Sequence, residues 1–263
     1  VKIALMDSGI GLLAAAAAVR RLRPDAELVL SSDPDGMPWG PRTPADLTGR
    51  ALDVARAAAA HGPDALIVAC NTASVHSLPA LRAELEPGIP VIGTVPAIKP
   101  AAAAGGRVAI WATPATTGSP YQRGLIREFA AGVRVTEVPC PGLADAVEAG
   151  DDAAVTAAVA AAAALTPSDV TDVVLGCTHY ELVETSIRQA LAARTHGAEL
   201  VFHGSAEPVA VQALRRLGAR AEPALPRTGG LTVLRSGRPG TLPAAALAYA
   251  EGRLLAGEGA VVG

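Results

Sequence analysis

The chain has 263 residues, 50% hydrophobic and 18% charged, with a net charge of −3. That length suits one large α/β unit or two small domains, and the apolar content excludes a disordered chain that cannot offset its ordering entropy. Basic and acidic residues are interspersed, leaving no basic stripe for a phosphate backbone, and no apolar run reaches the roughly 18 residues that span a bilayer, so neither nucleic acid nor membrane is expected as a partner.

In chain order, short apolar runs alternate with Ala-rich, Arg-bearing stretches. The runs are Ile3 to Met6, Leu28 to Leu30, Leu66 to Val68, Val91-Ile92, Val108 to Ile110, Val173 to Leu175 and Leu200 to Phe202. Each is strand-sized and apolar without alternation, the pattern of strands covered on both faces. Val133 to Val138 alternates in part and reads as a strand with one wetter face. Between them, Leu12 to Leu22, Leu47 to Ala60, Leu78 to Leu85, Ser119 to Ala131 and Ala157 to Ala164 read as helices, since Ala is the best helix former. Strand and helix in alternation predict an α/β fold with mainly parallel sheets.

The order contains a repeat. Lys2 to Ser8 resembles Arg107 to Thr113, and Asp64 to Asn71 resembles Thr171 to Thr178, at offsets of 105 and 107 residues. Two matches in one order at nearly one spacing imply two related α/β halves. Pro and Gly punctuate Pro96 to Gly106, where the boundary is expected, and a second crossing is expected near His203 to Ser205.

Ligands of parallel sheets bind beyond the carboxyl ends of strands, where helix N-termini direct amides at them. Asp7-Ser8-Gly9, Cys70-Asn71-Thr72, Thr113 to Ser119 and Cys177-Thr178-His179 follow strand runs and pair across the repeat. Three cysteines are too few for a disulfide framework, so free thiols in a reducing, cytoplasmic setting are expected; Asp7 also comes too early for a secretory leader. A lone Cys after a buried strand is usually a small core hydrophobe. Two at matched positions, each followed by small polar residues, favour chemistry: if the halves face one another about a pseudo-two-fold axis, Cys70 and Cys177 approach one cleft from opposite sides. Helix N-termini favour the thiolate, so one thiol accepts a proton while the other donates one. Cys140 has no counterpart and reads as structural.

Other residues leave alternatives open. Asp7 reads as a general base, a partner for a substrate ammonium, or an N-cap of the following helix. His179 either shares a proton with Cys177 or satisfies a loop carbonyl. Glu148 and Asp151-Asp152 sit on or beside an Ala-rich helix, where acids are usually just solvated. Cys177 and His179 have no further ligands at zinc-site spacing, so no metal is expected.

Asp7-Ser8-Gly9-Ile10-Gly11, Pro38-Trp39-Gly40, Ala69-Cys70-Asn71-Thr72-Ala73-Ser74, Val95 to Ala101 and Gly176-Cys177-Thr178-His179-Tyr180, in this order and spacing, resemble the glutamate racemases of the aspartate/glutamate racemase superfamily. The resemblance implies two pseudo-symmetric α/β domains, residues 1–97 with 205–263 and residues 98–204, with the active site in the cleft between them. It implies cofactor-independent racemisation of L- and D-glutamate, supplying D-glutamate for peptidoglycan, in a homodimer. Cys70 then handles the proton of the D-isomer and Cys177 that of the L-isomer, assisted by Asp7 and His179, with Glu148 a further acid near the site. The substrate contacts it implies are Ser8, Trp39, Gly40, Asn71, Thr72, Thr113, Thr116 and Thr178, whose donors suit the two carboxylates of glutamate.

Three positions depart from the family pattern. Gly11-Leu12 stands for Gly-Gly, Pro38-Trp39-Gly40 for Pro-Tyr-Gly, and Glu181 for the Pro after Tyr180. Trp brings a bulkier indole donor and Glu181 a negative charge near an anion site, changes expected to weaken glutamate binding or to shift preference to aspartate or a related acid. A binding protein that kept the fold without activity is the remaining alternative.

Overall fold

The computed structural model describes residues 1–195, 197 and 199–257; residues 258–263, which fall in the first expected domain, lie outside the described residues. The chain divides into two compact units, Val1–Val95 with the segment from Ala206 onward, and Pro96–Ser205.

The first unit opens with β1 (Lys2–Asp7), α1 (Leu12–Leu22), β2 (Glu27–Ser32), α2 (Pro44–Ala59), β3 (Ala65–Val68), α3 (Asn71–His76), α4 (Leu78–Leu85) and β4 (Val91–Gly93). β3 is buried along its whole length and β1 along all but its first residue, as their unbroken apolar runs require. α1 is buried from Leu12 to Arg20, because its Ala side chains let neighbouring backbones come close. Thr43 starts α2 by accepting the Asp46 N–H, with Pro44 in the first turn, where its missing N–H costs nothing. Asp7 closes β1, and Gly11 stands at the N-cap of α1; the reading of Asp7 as a helix cap is therefore corrected.

The second unit contains α5 (Ile98–Ala103), β5 (Arg107–Ala112), α6 (Pro120–Phe129), β6 (Arg134–Pro139), α7 (Leu143–Ala149), α8 (Asp152–Leu165), β7 (Asp172–Leu175), α9 (Thr178–Glu181), α10 (Glu184–Ala192) and β8 (Val201–His203). Ser119 and Asp151 cap α6 and α8, accepting the N–H groups of Gln122 and Ala154. The chain then returns to the first unit as α11 (Ala206–Arg216), β9 (Leu231–Arg235), β10 (Arg238–Gly240) and α12 (Ala250–Ala256). Against α1 pack α11 and α12, which explains why that helix is covered nearly all round.

The first sheet has the order β10-β9-β2-β1-β3-β4 and the second β6-β5-β7-β8. All pairings are parallel except β10 on β9, so within each sheet the carboxyl ends of the parallel strands share one edge. The repeat is visible in the registers. Ile3 pairs with Ala65 and Met6 with Val68, and at the same offsets Val108 pairs with Asp172 and Trp111 with Leu175. β2-β1-β3-β4 thus matches β6-β5-β7-β8, and the first sheet adds the β9–β10 hairpin at the β2 edge. That hairpin turns through Ser236 and Gly237 at φ values of 47° and 75°, positive φ at both central positions, as tight hairpins favour. Among the described residues no helix is long and apolar enough to cross a membrane.

Candidate active site

The carboxyl edge of the first sheet carries Asp7, Ser8 and Cys70. Asp7 is 1% exposed, and its Oδ1 accepts the Ser8 N–H at 2.7 Å and the Ser8 hydroxyl at 3.3 Å. Beside it the Ala69 N–H bonds to the Met6 carbonyl at 2.8 Å, after which Cys70, extended at φ −140° and ψ 119°, becomes the N-cap of α3. Two hydroxyls support this turn from below. Thr94 Oγ1 and Ser74 Oγ donate to the Val68 carbonyl at 2.8 and 3.2 Å, and the Thr94 N–H donates to Ser74 Oγ at 2.9 Å. Cys70 and Asn71 are buried and Thr72 is half-buried.

The second sheet repeats the device. The Gly176 N–H bonds to the Trp111 carbonyl at 2.8 Å, and Cys177, at φ −137° and ψ 136°, is the N-cap of α9. Gly176 is required where the first unit has Ala69: a Cβ there would sit 2.7 Å from the Trp111 carbonyl oxygen. His179 Nδ1 lies 3.8 Å from Cys177 Sγ, and His179 Nε2 lies 2.9 Å from Glu148 Oε2 on α7. A carboxylate only accepts, so it takes the Nε2–H and leaves Nδ1 of the neutral ring as the proton acceptor facing the sulfur. Carboxylate, imidazole and thiol thus stand in one line of contacts. Tyr180, fully buried, donates its hydroxyl to the Cys140 carbonyl at 3.3 Å and so fastens α9 to the loop that leads into α7. Burial pushes the Cys140 thiol up to about 12, and negative charge at Cys177 pushes it the same way. Cys140 therefore stays protonated beside Cys177.

Each residue singled out in the sequence has a place. Asp7, Ser8, Trp39, Gly40, Cys70, Asn71 and Thr72 lie in the first unit; Thr113, Thr116, Glu148, Cys177, Thr178 and His179 lie in the second. Thr113 donates its hydroxyl to Thr116 at 3.2 Å in the turn after β5, and Thr178 is buried in the first turn of α9. Glu148, an unremarkable acid on an Ala-rich helix, is the partner of His179. Trp39 is 2% exposed, and its indole N–H points to the Asp33 carboxylate at 3.0 Å, while Gly40 is exposed. Glu181 has a local use: its Oε1 accepts the Ser205 N–H at 2.8 Å and the Ser205 hydroxyl at 2.7 Å. Sequence reasoning passes over Asp33, Thr94, Ser74 and Tyr180 as actors. Only the Tyr180 and Ser74 positions, inside the quoted motifs, carry a signal that could have found them. Among the described residues no group of three His, Cys, Asp or Glu side chains is arranged to hold a metal ion.

The model of the Asp/Glu/Hydantoin racemase family matches residues 11–201, across both cysteine turns. The chain belongs to that family. A glutamate racemase of Pseudomonas entomophila is 36% identical over 223 residues, covering 83% of this chain and 82% of that protein. One from Roseiflexus sp. is 39% identical over 191 residues, covering 71% and 70%. The solved structure of Escherichia coli glutamate racemase, in complex with L-glutamate and the activator UDP-MurNAc-Ala, is similar with a TM-score of 0.76 at 28% identity, covering 89% of this chain and 97% of that one. Family membership with relatives at this identity makes the chain an amino-acid racemase.

Proposed function

We propose that the chain interconverts L- and D-glutamate by two-base proton transfer at Cα, with Cys70 and Cys177 as the bases, and that the D-isomer serves peptidoglycan. The carrying observation is the pair of strand–cysteine–helix turns at matched registers, each thiol at a helix N-terminus on a carboxyl edge. A thiolate takes the α-proton from one face of the substrate, and the thiol on the other face donates its own proton to the carbanion. The thiol and thiolate roles are then exchanged, and no electron or group leaves the substrate. The α-proton of an amino acid is weakly acidic, so the charge that develops on the carboxylate must meet prearranged donors. Ser8, Asn71, Thr72, Thr113 and Thr178 are the residues proposed to supply them, with Asp7 assisting Cys70, and with Glu148 and His179 assisting Cys177.

Glutamate is preferred over a shorter or unrelated acid because two of the three departures from the family pattern have local partners. The Trp39 indole N–H is engaged by Asp33 and the Glu181 carboxylate by Ser205, so neither change adds a free donor or a free charge for substrate. The third, Leu12, is buried in the first unit.

Incubation in heavy water with each isomer of glutamate and of aspartate tests this reading. Deuterium is expected at Cα of both glutamate isomers. Racemisation is expected to fall by about 10²–10⁴-fold in Cys70→Ala and in Cys177→Ala, the usual worth of a positioned acid or base. No exchange with either isomer of glutamate would reject it, and faster exchange with aspartate would move the assignment to that acid.

A further inference from the structure

We infer that Asp33 is a positioning residue for substrate binding, acting through Trp39 and Ser8 to hold the two binding segments of the first unit in register. The inference rests on the glutamate reading above, together with the family resemblance that implies Trp39 and Gly40 as substrate contacts beside Ser8.

Asp33 follows β2 on the carboxyl edge of the sheet and is 4% exposed. A carboxylate taken from water at that depth is tolerated only when its oxygens are satisfied. Here three residues satisfy them. Oδ2 accepts the Trp39 indole N–H at 3.0 Å and an Arg50 Nη1–H from α2 at 3.1 Å, and Oδ1 accepts the Ser236 hydroxyl at 3.2 Å from the β9–β10 turn. The main chain of Asp33 is engaged as well. Its N–H donates to the Ser8 carbonyl at 3.1 Å, and its carbonyl accepts the Gly36 N–H at 3.0 Å. Gly36 allows the loop to wrap this closely, since a side chain there would run into the Asp33 carboxylate and the Arg50 guanidinium. Arg42 clamps the same loop from outside, donating Nε–H to the Gly36 carbonyl at 2.7 Å.

The consequence concerns where Trp39 points its donor. An indole has a single N–H, and Asp33 takes it, so the turn offers substrate its main-chain groups and the exposed Gly40. Ser8 is tied to the same residue through its carbonyl. One residue, bonded to Ser8 through its main-chain N–H and to Trp39 through its carboxylate, thus sets the spacing between two segments, and a substrate bearing two carboxylates is sensitive to that spacing. The bulkier residue at position 39 is accommodated by a hydrogen bond within the first unit.

The test uses the full chain and measures racemisation of both glutamate isomers in wild type, Asp33→Asn, Trp39→Phe and the double variant. Each single change is expected to raise KM about 10-fold, the usual worth of a hydrogen bond to a charged acceptor, with kcat within about 3-fold. Because both act on one linkage, the double variant is expected to be no worse than the more affected single one. A purely structural role for Asp33 would lower thermal stability and leave KM alone. Unchanged KM in a folded Asp33→Asn, or effects that multiply in the double variant, would overturn the inference. Should Asp33→Asn fail to fold, Trp39→Phe decides alone, because it leaves Arg50 and Ser236 on the carboxylate; an unchanged KM there overturns it too. A wild type that exchanges no α-proton of glutamate removes both the functional reading and the inference, whereas an active wild type with unaffected variants removes the inference only.

Discussion

The turn that carries Cys70 and the turn that carries Cys177 share strand register, backbone angles and the N-cap position of a helix, yet different side chains stand beside the two cysteines. Cys177 has an imidazole within 3.8 Å and a carboxylate behind it. At the Cys70 turn the nearest acid in the sheet is Asp7, at the end of the neighbouring strand, and no imidazole takes the matched place: Asn71-Thr72-Ala73 stands where the second turn has Thr178-His179-Tyr180. The two halves share the backbone that presents a thiol and differ in the side chains beside it. The proposed two-base reaction starts from mirror-image substrates but does not need mirror-image helpers; it needs only that each thiol can both give and take a proton.

The sharpest break in that comparison is expected at Glu148. Glu148→Gln removes the charged acceptor that holds His179, worth about 1.5–3 kcal/mol, so kcat is expected to fall about 10–100-fold in the direction that starts at Cys177 and less in the other. Enantiomers have an equilibrium constant of one, so the ratio of the two kcat/KM values cannot change; the asymmetry must appear in kcat and be matched in KM. Progress curves from each pure isomer measure it. Equal kcat losses in both directions would show that the imidazole pair serves the site as a whole, not one thiol.

How much of this was legible in the sequence depends on how far apart the partners lie. The central strands were legible because residues covered on both faces must be apolar, and the cysteine turns because each follows such a run at a constant offset; the run Leu200 to Phe202 was read the same way, but β8 is an edge strand with Val201 exposed. The β9–β10 hairpin was not, since β9 is mostly half-buried and β10 exposed, which leaves no strong apolar pattern. Asp33 reads as an ordinary turn residue before Pro34; its importance comes from Trp39, Arg50 and Ser236, which lie 6, 17 and 203 residues away. Glu148 was marked only by the family resemblance, because its partner is 31 residues distant. Glu181 reads as surplus charge until Ser205 is seen to occupy it.

Glu181 also has a counterpart that makes the comparison quantitative. It stands four residues after Cys177, as Ser74 stands four after Cys70, and both catch the residue that leaves the edge strand. Ser74 Oγ accepts the Thr94 N–H after β4, and Glu181 Oε1 accepts the Ser205 N–H after β8. The unit with a charged acceptor should lose more when it is removed: about 1.5–3 kcal/mol for Glu181→Ala against about 0.5–1.5 kcal/mol for Ser74→Ala. Urea unfolding followed separately in the two variants checks this. KM for glutamate is expected to stay within about 2-fold in Glu181→Ala, because the carboxylate is engaged locally by Ser205. A clear gain in glutamate affinity would show that the charge does reach the site.

The smallest expected effect separates the third thiol from the two proposed bases. Cys140 is 1% exposed and raised from its ordinary 9.0 to about 12, first by burial and then by charge at Cys177. Above about pH 9 the unfolded chain releases this proton while the folded chain keeps it, so the folded state binds more protons and stability falls as pH rises toward about 12. One such group contributes a slope of up to about 1.4 kcal/mol per pH unit. Burial raises Tyr180 as well, from an ordinary 10.0, and it adds a loss of the same sign at higher pH, so the interval from about pH 9 to 10 isolates Cys140 best. Urea midpoints for wild type and Cys140→Ala across that interval should converge, the variant starting lower and falling less. Parallel lines would mean that Cys140 meets water in the folded chain, and its separation from the two proposed bases by burial would no longer hold.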